Sequence, residues 1–147
     1  NPPGPQFVRL ARLLMKLAPN FRLRSTVIPE RIMSDPEEQQ AVKEDALFHS
    51  QLSLRLGAGL LDSGRWALKH ADKLRTAMLL SHGTRDCLTS PAASAEFARR
   101  AGELCQLAIL EGQLHDPFRD VERAAVIARH VAFIRQLVPA KGGADDH

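Results

Sequence analysis

The stretches LLSHGTRDCL, residues 79–88, and AILEGQLHDPF, residues 108–118, share a design. Each runs an apolar segment into a glycine, Gly83 or Gly112, and then into a side chain able to manage protons, Asp86 in the first and His115 in the second. A carboxylate on one imidazole nitrogen fixes the tautomer and stabilises the imidazolium that forms when the other nitrogen takes a proton. Asp86 and His115 are therefore candidate orienting acid and general base for nucleophilic catalysis, provided that the fold makes them meet. Taken singly, Asp86 also suits a turn after a strand, and His115 also reads as an unpartnered loop histidine. His82 reads as a residue that orders the loop beside Gly83, and Asp116, adjacent to His115, is poorly placed to act as its acid. A metal set drawn from His82, Asp86, His115 and Asp116 lacks the H-E-x-x-H spacing of zinc hydrolases, so neither a metal nor a cofactor is expected.

For the pair to meet, its loops must leave the same end of adjacent strands. AMLLSH (77–82) and CQLAIL (105–110) read as short buried strands. Between them Ser90-Pro91 supplies an N-cap and first-turn proline for a helix through Arg100, closed by Gly102. After the second strand, Asp120 is expected to cap a last helix running to about Val138. Strand, helix, strand, helix predicts a parallel pair with a right-handed crossover. Ligands of open parallel sheets sit outside the carboxyl ends of the strands, where both loops emerge. Neighbouring strands lie about 4.8 Å apart, and glycine at 83 and 112 permits the chain reversals that turn the loops toward each other. Two strands leave a sheet edge bare, so further strands are expected in another segment or chain.

Residues 6–72 are helical in pattern. QFVRLARLLMKLAP places Leu10, Leu13, Leu14 and Leu17 on one face and Arg9, Arg12 and Lys16 on another. Ser34 and Glu37 form a capping box that opens a second helix with Pro36 in its first turn. Third and fourth helices are expected over 50–61 and 62–73, with a weak point at the GAG of 57–59. The division is thus 1–74 helical cap or lid, 75–139 a βαβα part of a core, and 140–147 a flexible tail.

Composition narrows the function classes. Twenty basic against seventeen acidic residues give a net charge of +3, with one tryptophan and no tyrosine, too little concentrated charge and stacking surface for a nucleic-acid partner. Cys87 and Cys105 have neither disulfide-framework nor metal-site spacing, which fits a reducing, cytoplasmic compartment. No apolar run has the length of a membrane span, and NPPGPQF is neither a signal peptide nor a start methionine, so the chain is expected to derive from a longer one. The cluster Arg9, Arg12, Lys16, Arg22 and Arg24 reads as a solvated face, with weak contact between the cap and an anionic membrane surface as the alternative.

HGTRD (82–86) followed by LEGQLHD (110–116) resembles the carboxy-terminal part of an α/β-hydrolase, in particular the monoacylglycerol lipase and lysophospholipase branch. The SDP of 34–36 and the EDAL of 44–47 are similar to that branch's cap. The resemblance implies an α/β fold in which a helical cap precedes a parallel βαβα unit, with Asp86 as triad acid and His115 as base in the family's serine, acid, histidine order. No G-x-S-x-G elbow occurs here, so it also implies an amino-terminal hydrolase segment that carries the nucleophile. The function implied is a serine hydrolase of carboxylic esters, monoacylglycerol- or lysophospholipid-like lipids. Leu10, Leu13, Leu14, Leu17, Leu52, Leu56 and Leu60 would face inward, with Leu14 and Leu56 lining an acyl-chain pocket or serving simply as core. Thr76-Ala77 and Asp116-Pro117-Phe118 depart from the branch's usual residues. A non-catalytic ligand-binding or interaction module on the same scaffold, or a relative with aspartate at the elbow, is the alternative.

Overall fold

The computed structural model describes residues 4–25 and 27–138. Its centre is a parallel pair of strands, β3 (Met78–Gly83) and β4 (Cys105–Leu110), in register from Met78 opposite Cys105 to Gly83 opposite Leu110. Helix α5 (Pro91–Ala101) connects them. The Ser90 side chain caps its start by accepting from Ala93 N, and Gly102, at φ +68°, closes it. Helix α6 (Arg123–Leu137) follows β4 and sets Val126 against Ala108, Leu110 and Leu79. Burying a valine of this kind contributes roughly 1.5–3 kcal/mol. Consecutive strand residues point to opposite faces, and β3 makes this visible: Ser81 reaches His130 of α6, whereas His82 reaches Ser94 of α5. The two helices therefore cover opposite faces of the pair.

The amino-terminal part contains more than helices. Helix α1 (Pro5–Leu17) runs into strand β1 (Arg22–Arg24), which pairs antiparallel with β2 (Gln51–Ser53). Between them lie α2 (Pro29–Ile32) and α3 (Pro36–Glu44). From β2 the chain enters α4 (Leu54–Lys69), capped by Ser53, and a 3-10 turn at Ala71–Lys73 precedes β3. The two expected helices of 50–73 are thus one helix, unbroken at 57–59. Leu52 packs beside Gly57, and α4 lies against both α1 and α5, packing that offsets the cost of glycine in a helix. Arg100 of α5 also donates to the Leu68 carbonyl of α4 at 3.2 Å, joining the two parts.

Two capping expectations change. Asp35, not Ser34, caps α3, accepting from Glu37 N and Glu38 N. Asp120 gives α6 no side-chain cap; its carboxylate accepts from Ser34 N at 2.8 Å and Val121 N at 2.8 Å. The inward orientation expected of the cap leucines is also absent. Leu10, Leu13, Leu14, Leu17, Leu56 and Leu60 are exposed and Leu52 is half-buried. An amphipathic helix buries its apolar stripe only where another layer lies on it, and no element among the described residues covers these faces. Residues 139–147, the end of the expected core part and its tail, lie outside the described residues.

Candidate active site

Asp86 and His115 come together at the carboxyl ends of β3 and β4. His115 Nδ1 stands 2.9 Å from Asp86 Oδ2. The carboxylate side chain is 2% exposed and the imidazole 39%, so the acid is buried while the base reaches solvent. Its two oxygens divide the labour. Oδ1 accepts from Leu88 N at 2.7 Å and Thr89 N at 3.0 Å, forming the turn that begins α5's approach. Oδ2 accepts from Thr89 Oγ1 and His115. The turn-forming role and the histidine-orienting geometry therefore coexist in one side chain.

The charge on Asp86 is secure at neutral pH. Burial alone works to raise its pKa, but hydrogen bonds from Thr89 and His115 side chains and from the Thr89 and Leu88 amides outweigh it and hold the group at about 2. An ionised Asp86 requires the proton on His115 Nδ1, which leaves Nε2 as the free basic nitrogen.

The loops are fitted to each other backbone to backbone. A Cβ on Gly83 would lie 2.2 Å from Gln113 O and 2.3 Å from Leu114 O. Gly83 is needed for close approach, not for an unusual backbone angle. Gly112 is the converse case, with φ +73° and open space where a Cβ would stand. Arg85 N donates to Gln113 O at 3.0 Å, and Thr84 N to Leu110 O at 3.0 Å. Thr84 Oγ1 accepts from Gly112 N at 2.9 Å and donates to Glu111 Oε1 at 3.2 Å.

A second brace holds the far side of the histidine loop. Asp116 N donates to Ile32 O at 2.8 Å, directly after His115. Beyond it, Asp120 binds Ser34, Arg119 Nε donates to Glu38 Oε2 at 2.8 Å, and Arg123 pairs with Asp35. The SDP segment of 34–36 thus ties the α2–α3 region to the chain that follows His115.

The structure places Leu14 on α1 and Leu56 on α4, 44% and 54% exposed, apart from the Asp86–His115 contacts. His82 is closer to the chemistry than its sequence reading allowed, with Nε2 3.2 Å from Asp86 Oδ2. Thr89 was not singled out, although an aspartate followed three residues later by a threonine is the pattern of a side-chain-capped turn. Among the described residues no three His, Cys, Asp or Glu side chains form a metal-binding group, and no helix is long and apolar enough to cross a membrane.

The Hydrolase_4 family, described as serine aminopeptidase S33, matches residues 1–122. The chain belongs to that family. The monoacylglycerol lipase of Mycolicibacterium smegmatis is 29% identical to this Hydrolase_4 chain over 126 residues, which cover 84% of the chain and 45% of the relative. The crystal structure of Paleococcus ferrophilus monoacylglycerol lipase matches with a TM-score of 0.80 at 25% identity, over 90% of this chain and 52% of that one. A soluble variant of monoglyceride lipase from Saccharomyces cerevisiae, crystallised in complex with a substrate analog, matches in fold with a TM-score of 0.74 at 18% identity, over 90% and 49%. The Hydrolase_4 chain spans about half the length, or less, of the relatives it matches, and its helices and parallel strands form part of an α/β-hydrolase fold.

Proposed function

We propose that the protein carrying this chain is a serine hydrolase of carboxylic esters, acting on monoacylglycerol- or lysophospholipid-like lipids. Asp86 and His115 are the acid and base of a Ser-Asp-His triad whose serine lies outside this chain. The observation that carries the reading is the 2.9 Å contact between His115 Nδ1 and a buried, ionised Asp86. The contact commits Nδ1 to the carboxylate and leaves Nε2 as the base. In the reaction, Nε2 takes the serine proton as the hydroxyl attacks the ester carbonyl, and Asp86 stabilises the resulting imidazolium. The same proton then passes to the leaving alcohol, and a water molecule repeats the sequence on the acyl-enzyme. Residues 1–74 act as a cap over the strand ends, with Leu14 and Leu56 meeting the acyl chain. The family and the lipase relatives support the ester and lipid assignment.

A serine-directed fluorophosphonate tests the reading. The intact protein should be labelled and should release fatty acid from a monoacylglycerol, and His115→Ala should abolish both. Absence of labelling and turnover in the parent would favour a non-catalytic module, and an unaffected His115→Ala variant would remove His115 as the base.

A further inference from the structure

Asp86 Oδ2 has a third neighbour. Besides Thr89 Oγ1 and His115 Nδ1, His82 Nε2 lies 3.2 Å from the same oxygen. The His82 side chain, 9% exposed, lies near the carboxyl end of β3, and its Nδ1 is 2.7 Å from Ser94 Oγ on α5. Charge selects between its tautomers. With the proton on Nδ1, the Nε2 lone pair would face an ionised carboxylate, and the Thr89 hydroxyl proton, already given to Asp86, could not relieve the repulsion. With Ser94 donating to Nδ1, the Nε2–H faces two acceptors, Asp86 Oδ2 and, at 3.5 Å, Thr89 Oγ1. Of the two tautomers, the second alone pairs every polar atom with one of opposite character, and it places an N–H on Nε2 facing Asp86.

We propose that His82 is a positioning residue for the triad acid: with its ring fixed by Ser94 and its Nε2–H aimed at the carboxylate, it holds Asp86 Oδ2 in line with His115 Nδ1. The inference rests on the hydrolase reading above and deepens it. Strand β3 and helix α5 thereby act on His115 through the carboxylate, without touching the substrate. The groups facing His82 are Asp86 and Thr89 from the loop after β3 and Ser94 from α5. Asp86 supplies the negative charge, and His115 approaches it from the loop after β4. A carboxylate relieved of one donor becomes a stronger acceptor for those that remain. Removing the His82 N–H therefore makes His115 more basic while loosening the orientation of its partner.

The test compares His82→Leu, His82→Gln and Ser94→Ala in the intact protein, measuring kcat, KM and the pH profile with a soluble p-nitrophenyl ester. His82→Leu should lower kcat roughly ten- to hundredfold, the range for losing a hydrogen bond to a charged group. KM should stay near its parental value and the acidic limb of kcat should move to higher pH. His82→Gln, whose amide N–H can occupy the same place, should restore most of kcat, and Ser94→Ala should fall between. Parental kcat and pH profile in His82→Leu would overturn the proposal, as would equal losses in the Leu and Gln variants with an unmoved limb. Should His82→Leu fail to fold by circular dichroism, Ser94→Ala decides, and a parental rate and profile there overturn it. His115→Ala separates the two levels. Turnover that survives His115→Ala sinks the hydrolase reading, whereas an inactive His115→Ala beside parental His82 and Ser94 variants sinks only the role of His82.

Discussion

Gly83 and Gln113 meet backbone to backbone, so closely that a Cβ on the glycine would stand 2.2 Å from the glutamine carbonyl oxygen. Neither partner has a flexible end that could swing aside, so Gly83→Ala must displace the segment that leads into His115. Misplacing a reacting group by about 1 Å costs on the order of a hundredfold in rate, and a loss of kcat of that size is expected. Gly112→Ala is the control. Its positive φ makes a side chain cost about 1–2 kcal/mol, yet nothing stands in the way. It should lower the unfolding midpoint while kcat stays within severalfold. Similar kcat losses in the two variants would mean that backbone fit at Gly83 does not set the position of His115.

Asp86→Asn separates the two jobs of one side chain. The amide oxygen can still accept from Leu88 N and Thr89 N, so the turn survives. The amide nitrogen replaces Oδ2 and offers a donor where His115 Nδ1 needs an acceptor, which favours the wrong tautomer. A loss of about 10⁴ in kcat is expected, by analogy with other triads, with the far-ultraviolet spectrum unchanged.

Acid unfolding should report the same carboxylate. The folded pKa of Asp86, about 2, lies below its ordinary value of 3.8. Its contribution is therefore fully present above about pH 4 and is lost as pH falls from 4 through 2. That contribution is about 2 kcal/mol. Urea midpoints measured between pH 5 and pH 2 should fall for the parent and fall less steeply for Asp86→Asn. Parallel slopes would mean that Asp86 is not held ionised by folding.

The part of the fold that could be read from sequence is the part written locally. Apolar runs bounded by glycine marked β3 and β4, and Ser90-Pro91 with Gly102 bracketed α5. The adjacency of Asp86 and His115 followed from the geometry of parallel strands alone. The β1–β2 ribbon was hidden because RLR and QLS alternate over only three residues each, too short a run to mark a strand, and pair only across the intervening α2 and α3. Ser34 and Asp120 each look like a helix cap locally, yet their hydrogen bond spans 86 positions, and tertiary pairing overrode the local signal. The closeness of His82 to Asp86 was obscured for a similar reason: its orientation depends on Ser94, a residue of a separate helix.

The Ser34–Asp120 pairing carries a stability prediction. Asp120 is 1% exposed, and Asp120→Ala removes a buried acceptor that serves the amides of both Ser34 and Val121. Each lost hydrogen bond costs about 1–3 kcal/mol. Arg119→Ala breaks a more exposed ion pair with Glu38 and should cost at most about 1 kcal/mol. Denaturant midpoints of the two variants should therefore differ clearly. Equal midpoints would place the strength of the brace elsewhere.

The exposure of Leu14 and Leu56 makes their proposed contact with the acyl chain testable without confounding the fold. Because neither side chain is buried in the described chain, Leu14→Ser and Leu56→Ser should change stability by no more than about 0.5 kcal/mol. Burying a methylene is worth about 0.8 kcal/mol, so a leucine lining the far end of an acyl pocket discriminates among chain lengths more than it affects the reacting ester. The expected result is a several-fold fall in kcat/KM for a dodecanoyl ester relative to a butanoyl ester, with the butanoyl rate near parental. A ratio unchanged in both variants would show that α1 and α4 do not meet the acyl chain. A loss of folding in either would show instead that these leucines are covered in the intact protein and serve as core.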